Sequence, residues 1–236
     1  GPRHRLWRIR AGHIITATGA IERPLVFAEN DKPGIFLASA LRDYLIDYGV
    51  CLGKKTVVVT NNDDAYLTAI VAKNSGIEVP AIIDSRKGGA GELGEIARSI
   101  GIRVETGKGI ARVHGGKFVT GVAVCLQAGE GSILEDIECD TIAMSGGWSP
   151  VVHLWSHCGG KIIWDDIKIM FRPDTANPPR GRDGNPFVSI IGAANGILGV
   201  SAVQKDALET SAKLLGEAGV AQGLQISDRK DALIEA

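Results

Sequence analysis

Excess charge of one sign, long apolar runs and paired cysteines are all missing from this sequence, and each absence removes a class of function. Lysine and arginine number 26 against 27 aspartates and glutamates, a net charge of −1. No basic stripe interleaved with aromatics is present, so nucleic acid is not an expected partner. The longest apolar runs, such as TVVVT and HIITATG, fall far short of the roughly 20 residues that span a bilayer. No signal peptide opens the chain, and a membrane is not expected either. The four cysteines, Cys51, Cys125, Cys139 and Cys158, form no CxxC pair. They read as reduced, mostly buried thiols of a cytoplasmic protein.

What is present is enough chain for one large core or two small ones, 236 residues of ordinary hydrophobic content. From residue 54 the pattern is strand 56–60, helix 63–75, strand 79–84, helix 92–100 and strand 102–105. This βαβαβ run calls for a right-handed parallel sheet. GIARVH, KFVTGVAVCLQ and SILEDIECD follow, separated by HGG and AGEG, turn sequences that favour antiparallel hairpins. Residues 141–145 return as a final apolar strand. Further on, 151–158 reads as a short helix, 161–164 as a strand and TANPPRGRDGNP as an exposed loop. Strand 187–191 then leads through GAANG to a long helix over 201–217.

One more absence lies at the first strand-to-helix turn. A dinucleotide-binding turn uses glycines to turn tightly, to let the backbone approach a pyrophosphate and to leave the helix amides free for that anion. Here the turn is Thr60-Asn61-Asn62-Asp63-Asp64-Ala65. Asp63 or Asp64 is a natural N-cap, and two negative charges stand where a diphosphate belongs. Asp84, 24 residues beyond Thr60, occupies the place of a ribose-binding acid, although a strand-end aspartate is also a common solvated turn residue. The turn therefore reads as a vestigial site, with a working one as the alternative.

The amino-terminal stretch RLWRIRAGHIITATGA runs into a buried strand, 14–17, that ends in Thr18 and Gly19. Such a strand needs neighbours on both sides, supplied by later segments or by chain outside this sequence. A loop, ERPLVFAENDKPGIF, connects it to a helix over 37–48 closed by Gly49. Leu37, Leu41, Tyr44, Leu45 and Tyr48 have the spacing of one buried face.

ATGAIERP, VVVTNNDDAY, SGGWSPVVHLWS and IIGAANG together resemble the alpha subunits of heterotetrameric sarcosine oxidases and similar subunits of bacterial amine and imino-acid oxidoreductases. The resemblance runs over about residues 8–219 and corresponds to the middle of such a subunit. It implies an α/β, FAD/NAD(P)-binding (Rossmann-like) fold. A parallel-sheet nucleotide domain with an antiparallel meander, residues 54–147, is expected to be inserted into a partial outer nucleotide domain, residues 1–53 and 148–219. Residues 220–236 would be a tail or linker. The missing glycine-rich half of the outer site would come from an upstream segment, and a folate-binding domain would lie downstream.

The resemblance further implies NAD in the outer site, where related enzymes hold FAD. The matching positions are Thr18, Gly19, Gly192, Ala193, Ala194, Asn195 and Gly196. Flavoproteins of this architecture carry Gly-Asp at the second point, and Ala193 replaces that acid. A methyl cannot accept a hydroxyl hydrogen bond, so FAD is disfavoured, while small residues still admit a diphosphate. Partner beta, gamma and delta subunits are implied, with FAD on beta and FMN near the contact between subunits. The complex would demethylate sarcosine oxidatively to glycine with hydrogen peroxide formation. No catalytic residue is assigned to this chain, which is expected to be inactive alone. Two other readings stay open: a non-catalytic module that docks partner subunits, and a subunit of a related amine or imino-acid dehydrogenase.

Three features suggest sharper chemistry. His153 and His157, four apart and beside Cys158, have the spacing of two metal ligands, but no third or fourth can be named, and a partly buried helix face is the expectation. Trp148, Trp155 and Trp164 are expected to pack in a core or interface. Ser145-Gly146-Gly147 lacks the GxSxG pattern of a nucleophile elbow.

Overall fold

The structure is a computed structural model that describes residues 3–126 and 132–215. In chain order its elements are β1 (Ile14–Thr16), β2 (Ala20–Glu22), β3 (Ile35–Leu37), α1 (Ala38–Tyr48), β4 (Thr56–Thr60), α2 (Asp64–Asn74), β5 (Ala81–Asp84), α3 (Gly91–Ser99) and β6 (Arg103–Thr106). There follow β7 (Lys108–His114), β8 (Gly121–Leu126), β9 (Glu135–Glu138), β10 (Thr141–Ser145), β11 (Trp148–Pro150), α4 (His153–His157), β12 (Ile162–Asp165), β13 (Met170–Pro173) and β14 (Val188–Ile190). A 3-10 turn at Gly192–Asn195 precedes α5 (Val200–Leu215). The described residues form two compact units, one of 21–149 and one of 3–20 with 150–215.

The 21–149 unit is built on a parallel sheet of order β3-β10-β4-β5-β6. Its central strand TVVVT is buried at every position, as a strand covered on both faces must be. The period of two divides its side chains. Val58 packs with Leu41, Tyr66, Ala69 and Ala72 from the helices. Val57 and Val59 pack instead with Val113, Val122 and Val124 from the β7-β8-β9 antiparallel meander. The βαβαβ run and the meander read from the sequence are both present; the AGEG turn lies outside the described residues.

Residues 21–53 fold with this unit: β3 pairs with β10 in parallel, and Thr68 Oγ1 of α2 donates to the Ala38 carbonyl of α1. The boundary between units thus falls at residues 20/21 instead of 53/54. Helix α1 buries a narrower face than its spacing suggests. Leu41 is buried and Leu45 packs at its edge, but Tyr44 and Tyr48 are exposed and meet each other at 5.8 Å. Gly49 closes the helix with a left-handed φ of 63°.

The other unit has a smaller core, in which Trp155, Val188, Ile190 and Ala194 pack with Phe187. β1 and β14 run parallel with Thr16 opposite Ile190. β12 and β13 form an antiparallel hairpin. Helix α4 is short, and His153, His157 and Cys158 are exposed around the buried Trp155. Trp155 is a core residue, whereas Trp164 is exposed and meets Phe171 edge-on at 5.0 Å. Of the cysteines, Cys125 and Cys139 are buried but Cys51 and Cys158 are exposed, so burial holds for two of the four. Among the described residues no helix is long and apolar enough to cross a membrane. The segment 220–236 lies outside the described residues.

Candidate functional site

Two strand-to-helix turns are candidates for holding a dinucleotide, one in each unit. In the 21–149 unit the turn after β4 is occupied by the protein's own groups. The Asn62 amide donates to Thr60 Oγ1 at 3.0 Å, and the Asn61 amide donates to the Ser145 carbonyl at 3.4 Å. Asn62 Nδ2 donates to the buried Ser145 Oγ at 2.9 Å, which makes that serine a packing partner of the turn. Asp63 stands at the N-cap position of α2 without a side-chain capping bond. The expected capping is therefore absent, and the acids are instead tied to arginines.

Arg42 forks onto the Asp64 carboxylate at 3.0 and 3.1 Å. Arg86 Nη2 reaches Asp63 at 2.7 Å and Asp84 at 2.9 Å, and Arg86 Nε reaches Asp84 at 3.2 Å. Asp84 also accepts from the Tyr66 hydroxyl and from the Arg86 amide. It is fully buried, so it is neither a solvated turn residue nor open to a ribose. Burial opposes the charge on Arg86, but its bonds to Asp84 and Asp63 outweigh that and hold its pKa above the ordinary arginine value. Burial, then the Asp84 carboxylate, push the Tyr66 phenol upward. Arg42 and Arg86 escaped notice in the sequence, although Arg86 stands only two residues beyond Asp84.

In the other unit the parallel pairing of β1 and β14 brings the two predicted segments to one end of a ladder. The Ile191 amide donates to the Thr16 carbonyl at 3.0 Å, so Thr18-Gly19 and Gly192–Gly196 leave adjacent strands in the same direction. Thr18 Oγ1 is engaged with the Val151 carbonyl at 2.7 Å. Gly19 has a φ of 76° and open space where a Cβ would stand. At Gly192 the φ of 64° and the nearness of Val203, 3.1 Å from where a Cβ would sit, require glycine. Ala194 is fully buried, while Ala193 and Asn195 are half-buried.

The junction differs from a plain strand-to-helix turn. Gly192–Asn195 is a 3-10 turn, and α5 begins only at Val200. The Gly192 amide donates to Asp206 Oδ2 of α5 at 2.7 Å. Lys168, from the β12–β13 connection, donates to the Gly196 carbonyl at 2.6 Å. A cavity of about 350 Å³ adjoins the turn, with Asn195, Asp206, Ser189, Thr210, Lys213 and Trp155 in its lining. Asp206 lies 14 residues beyond Gly192, and no motif connects the two. Among the described residues no group of three histidines, cysteines or acids could hold a metal.

Relatives of known kind match this chain. It is 41% identical over 170 residues to the sarcosine oxidase subunit alpha of Rhizobium meliloti (strain 1021), a match covering 72% of this chain and 16% of the relative. With the sarcosine oxidase subunit alpha of Corynebacterium sp. (strain P-1) it shares 43% identity over 179 residues, 74% of this chain and 18% of the relative. The chain is homologous to sarcosine oxidase alpha subunits. It spans under a fifth of their length. No protein-family model matches. Among solved structures, the L-proline dehydrogenase from P. horikoshii superposes with a TM-score of 0.60 at 17% identity, over 89% of this chain and 35% of that one. T. acidophilum thioredoxin reductase gives 0.58 at 18% identity, over 78% and 57%. These likenesses are of fold alone, an α/β, Rossmann-like architecture.

Proposed function

We propose that this chain is the dinucleotide-binding portion of the alpha subunit of a sarcosine-oxidase-type complex, and that its site is the end of the β1–β14 ladder. The observation that carries this reading is the convergence of Thr18-Gly19 and Gly192–Gly196 in a chain 38–43% identical to sarcosine oxidase alpha subunits. Gly19 opens onto free space that admits a close-lying diphosphate, while at Gly192 the amide is held by Asp206 and the Cβ direction is closed by Val203. NAD is the dinucleotide favoured, because Ala193 offers no acceptor where a flavin-binding aspartate would stand. Thr18, Gly19 and residues 192–196 would hold it, together with a glycine-rich turn from an upstream segment. The outer domain would comprise residues 3–20 and 150–215.

When bound, NAD supplies hydride-transfer capacity or a structural anchor; this chain's part is to bind and orient it. In the complex, beta, gamma and delta subunits would join the alpha subunit, with FAD and FMN largely on a partner or at the contact with it. The reaction would be oxidative demethylation of sarcosine to glycine with formation of hydrogen peroxide, in the cytoplasm. Alone, the chain would oxidise nothing.

A specific observation favours a second role for the 21–149 unit. The Asn61 and Asn62 amides of its turn are engaged within the protein and its acids are bound to Arg42 and Arg86, which suits a scaffold better than a nucleotide site. The test is to assemble the complete subunit with its partners and to measure sarcosine-dependent peroxide release and released nucleotide by chromatography. One NAD per alpha subunit with sarcosine turnover supports the reading; turnover restricted to another amine would point to a related amine or imino-acid dehydrogenase, and a complex without NAD would sink the site.

A further inference from the structure

The Gly192–Gly196 turn ends against a fixed cation, and we infer that Lys168 is the anion-binding residue of the site, its ammonium meeting a phosphate of the dinucleotide beside Gly196. The inference rests on the reading of this turn as a nucleotide site, and it names the positive charge which that reading lacks. The two ends of the turn are held by opposite charges. At its start the Asp206 carboxylate accepts from the Gly192 amide at 2.7 Å, and at its end Lys168 Nζ donates to the Gly196 carbonyl at 2.6 Å. Residues 192–196 carry no charge of their own. A diphosphate is therefore repelled from the Gly192 end and attracted to the Gly196 end.

The lysine is delivered to the turn by a tied hairpin. In the connection from β12 to β13, Asp165 Oδ1 accepts from the Ile167 and Lys168 amides at 3.1 and 3.0 Å, and Asp165 Oδ2 accepts from Arg172 Nε at 2.9 Å. Ile169, next to the lysine, has a φ of 49°. A β-branched residue in that region is a genuine outlier, of the kind that clusters at ligand clamps and active sites. The hairpin also packs directly on the turn: a Cβ on Gly196 would stand 3.5 Å from Arg172 Cβ and 3.7 Å from Met170 Sδ. Among the described residues Lys168 forms no ion pair, whereas Arg172 of the same hairpin is paired with Asp165. An ammonium has three donors. The Gly196 carbonyl, a neutral acceptor, takes one of them and leaves two, together with the whole charge. A phosphate oxygen is the acceptor that suits so compact a cation.

The test is the rate at which the assembled complex loses NAD on dilution, followed for the wild type and three variants. Lys168→Arg keeps the charge and should lose NAD at close to the wild-type rate. Lys168→Gln keeps a donor for the Gly196 carbonyl without the charge, and Lys168→Met keeps neither. Both should lose NAD about ten- to a hundredfold faster, the range for a hydrogen bond to a charged group. Raising the salt from about 0.05 to about 0.5 M should speed the loss more for the wild type than for Lys168→Gln, because screening weakens the pair of lysine and phosphate. Wild-type retention in Lys168→Gln with rapid loss in Lys168→Met would make the lysine a brace for the turn and overturn the inference. Wild-type retention in both, or an equal response to salt, would overturn it too and leave the NAD reading standing. If the wild-type complex holds no NAD, that reading falls, and titration of the complex with ADP and with adenosine decides the lysine: a preference for ADP that Lys168→Gln abolishes sustains the phosphate contact, and equal binding or no binding of the two removes it.

Discussion

The two units place a parallel strand, a turn and a helix in the same order, yet spend the turn in opposite ways. After β4 the turn carries two aspartates, has its Asn61 and Asn62 amides engaged by Ser145 and Thr60, and is bound to Arg42 and Arg86. After β14 the turn is made of small residues, keeps left-handed glycines at both ends, and borders a cavity. A shared fold therefore does not imply a shared site. What distinguishes them is the charge held at the turn: two aspartates bound to arginines after β4, against the single Asp206 carboxylate on the Gly192 amide after β14.

Breaking the ion-pair lattice should give the largest effect. Arg86→Ala leaves Asp84 and Asp63 buried without their cation, and loss of one partner of a buried pair costs about 3–5 kcal/mol. Urea denaturation should show that loss; a change below about 1 kcal/mol would mean that the lattice does not hold this turn. Gly192→Ala comes next. A methyl there must adopt a left-handed φ of 64° and press on Val203, for a cost of about 2 kcal/mol. Gly19→Ala, at a similar φ but in open space, should cost less, and equal losses would show that packing at Val203 contributes nothing.

A smaller effect should appear in acid. The Asp140 carboxylate accepts from the Lys54 and Lys55 amides at the entry to β4. Burial would raise its pKa, but these backbone bonds outweigh it and hold it below its ordinary value of 3.8. A depressed folded pKa means stability that is present above the unfolded value and lost as pH falls through the folded one. Melting curves from pH 5 down to pH 2 should therefore decline less steeply for Asp140→Asn than for the wild type. Parallel declines would remove Asp140 from the account.

The parts legible in the sequence were those fixed by local pattern. TVVVT, buried throughout, and the alternating meander announced a covered parallel sheet and a second layer, and both are present. The turn Gly192–Gly196 was reached through the family resemblance, and its two glycines do adopt left-handed φ values of 64° and 76°. Contacts made across long separations were not legible. Asp64 and Arg42 are 22 residues apart, and Gly192 and Asp206 are 14; side chains that meet only after folding leave no spacing to read. The same limit explains α1, where helical periodicity marked Tyr44 and Tyr48 as apolar but could not say how wide a face α2 and the sheet would cover.

A matched pair of charge insertions tests the contrast most directly. Asn61→Asp adds a carboxylate to the turn after β4, and Ala193→Asp adds one to the turn after β14; both positions are half-buried. In the assembled complex, NAD released per alpha subunit should be unchanged by Asn61→Asp and lost in Ala193→Asp, because a new carboxylate beside a diphosphate repels it. Full NAD content in Ala193→Asp, with loss in Asn61→Asp, would contradict the account and move the cofactor to the other unit.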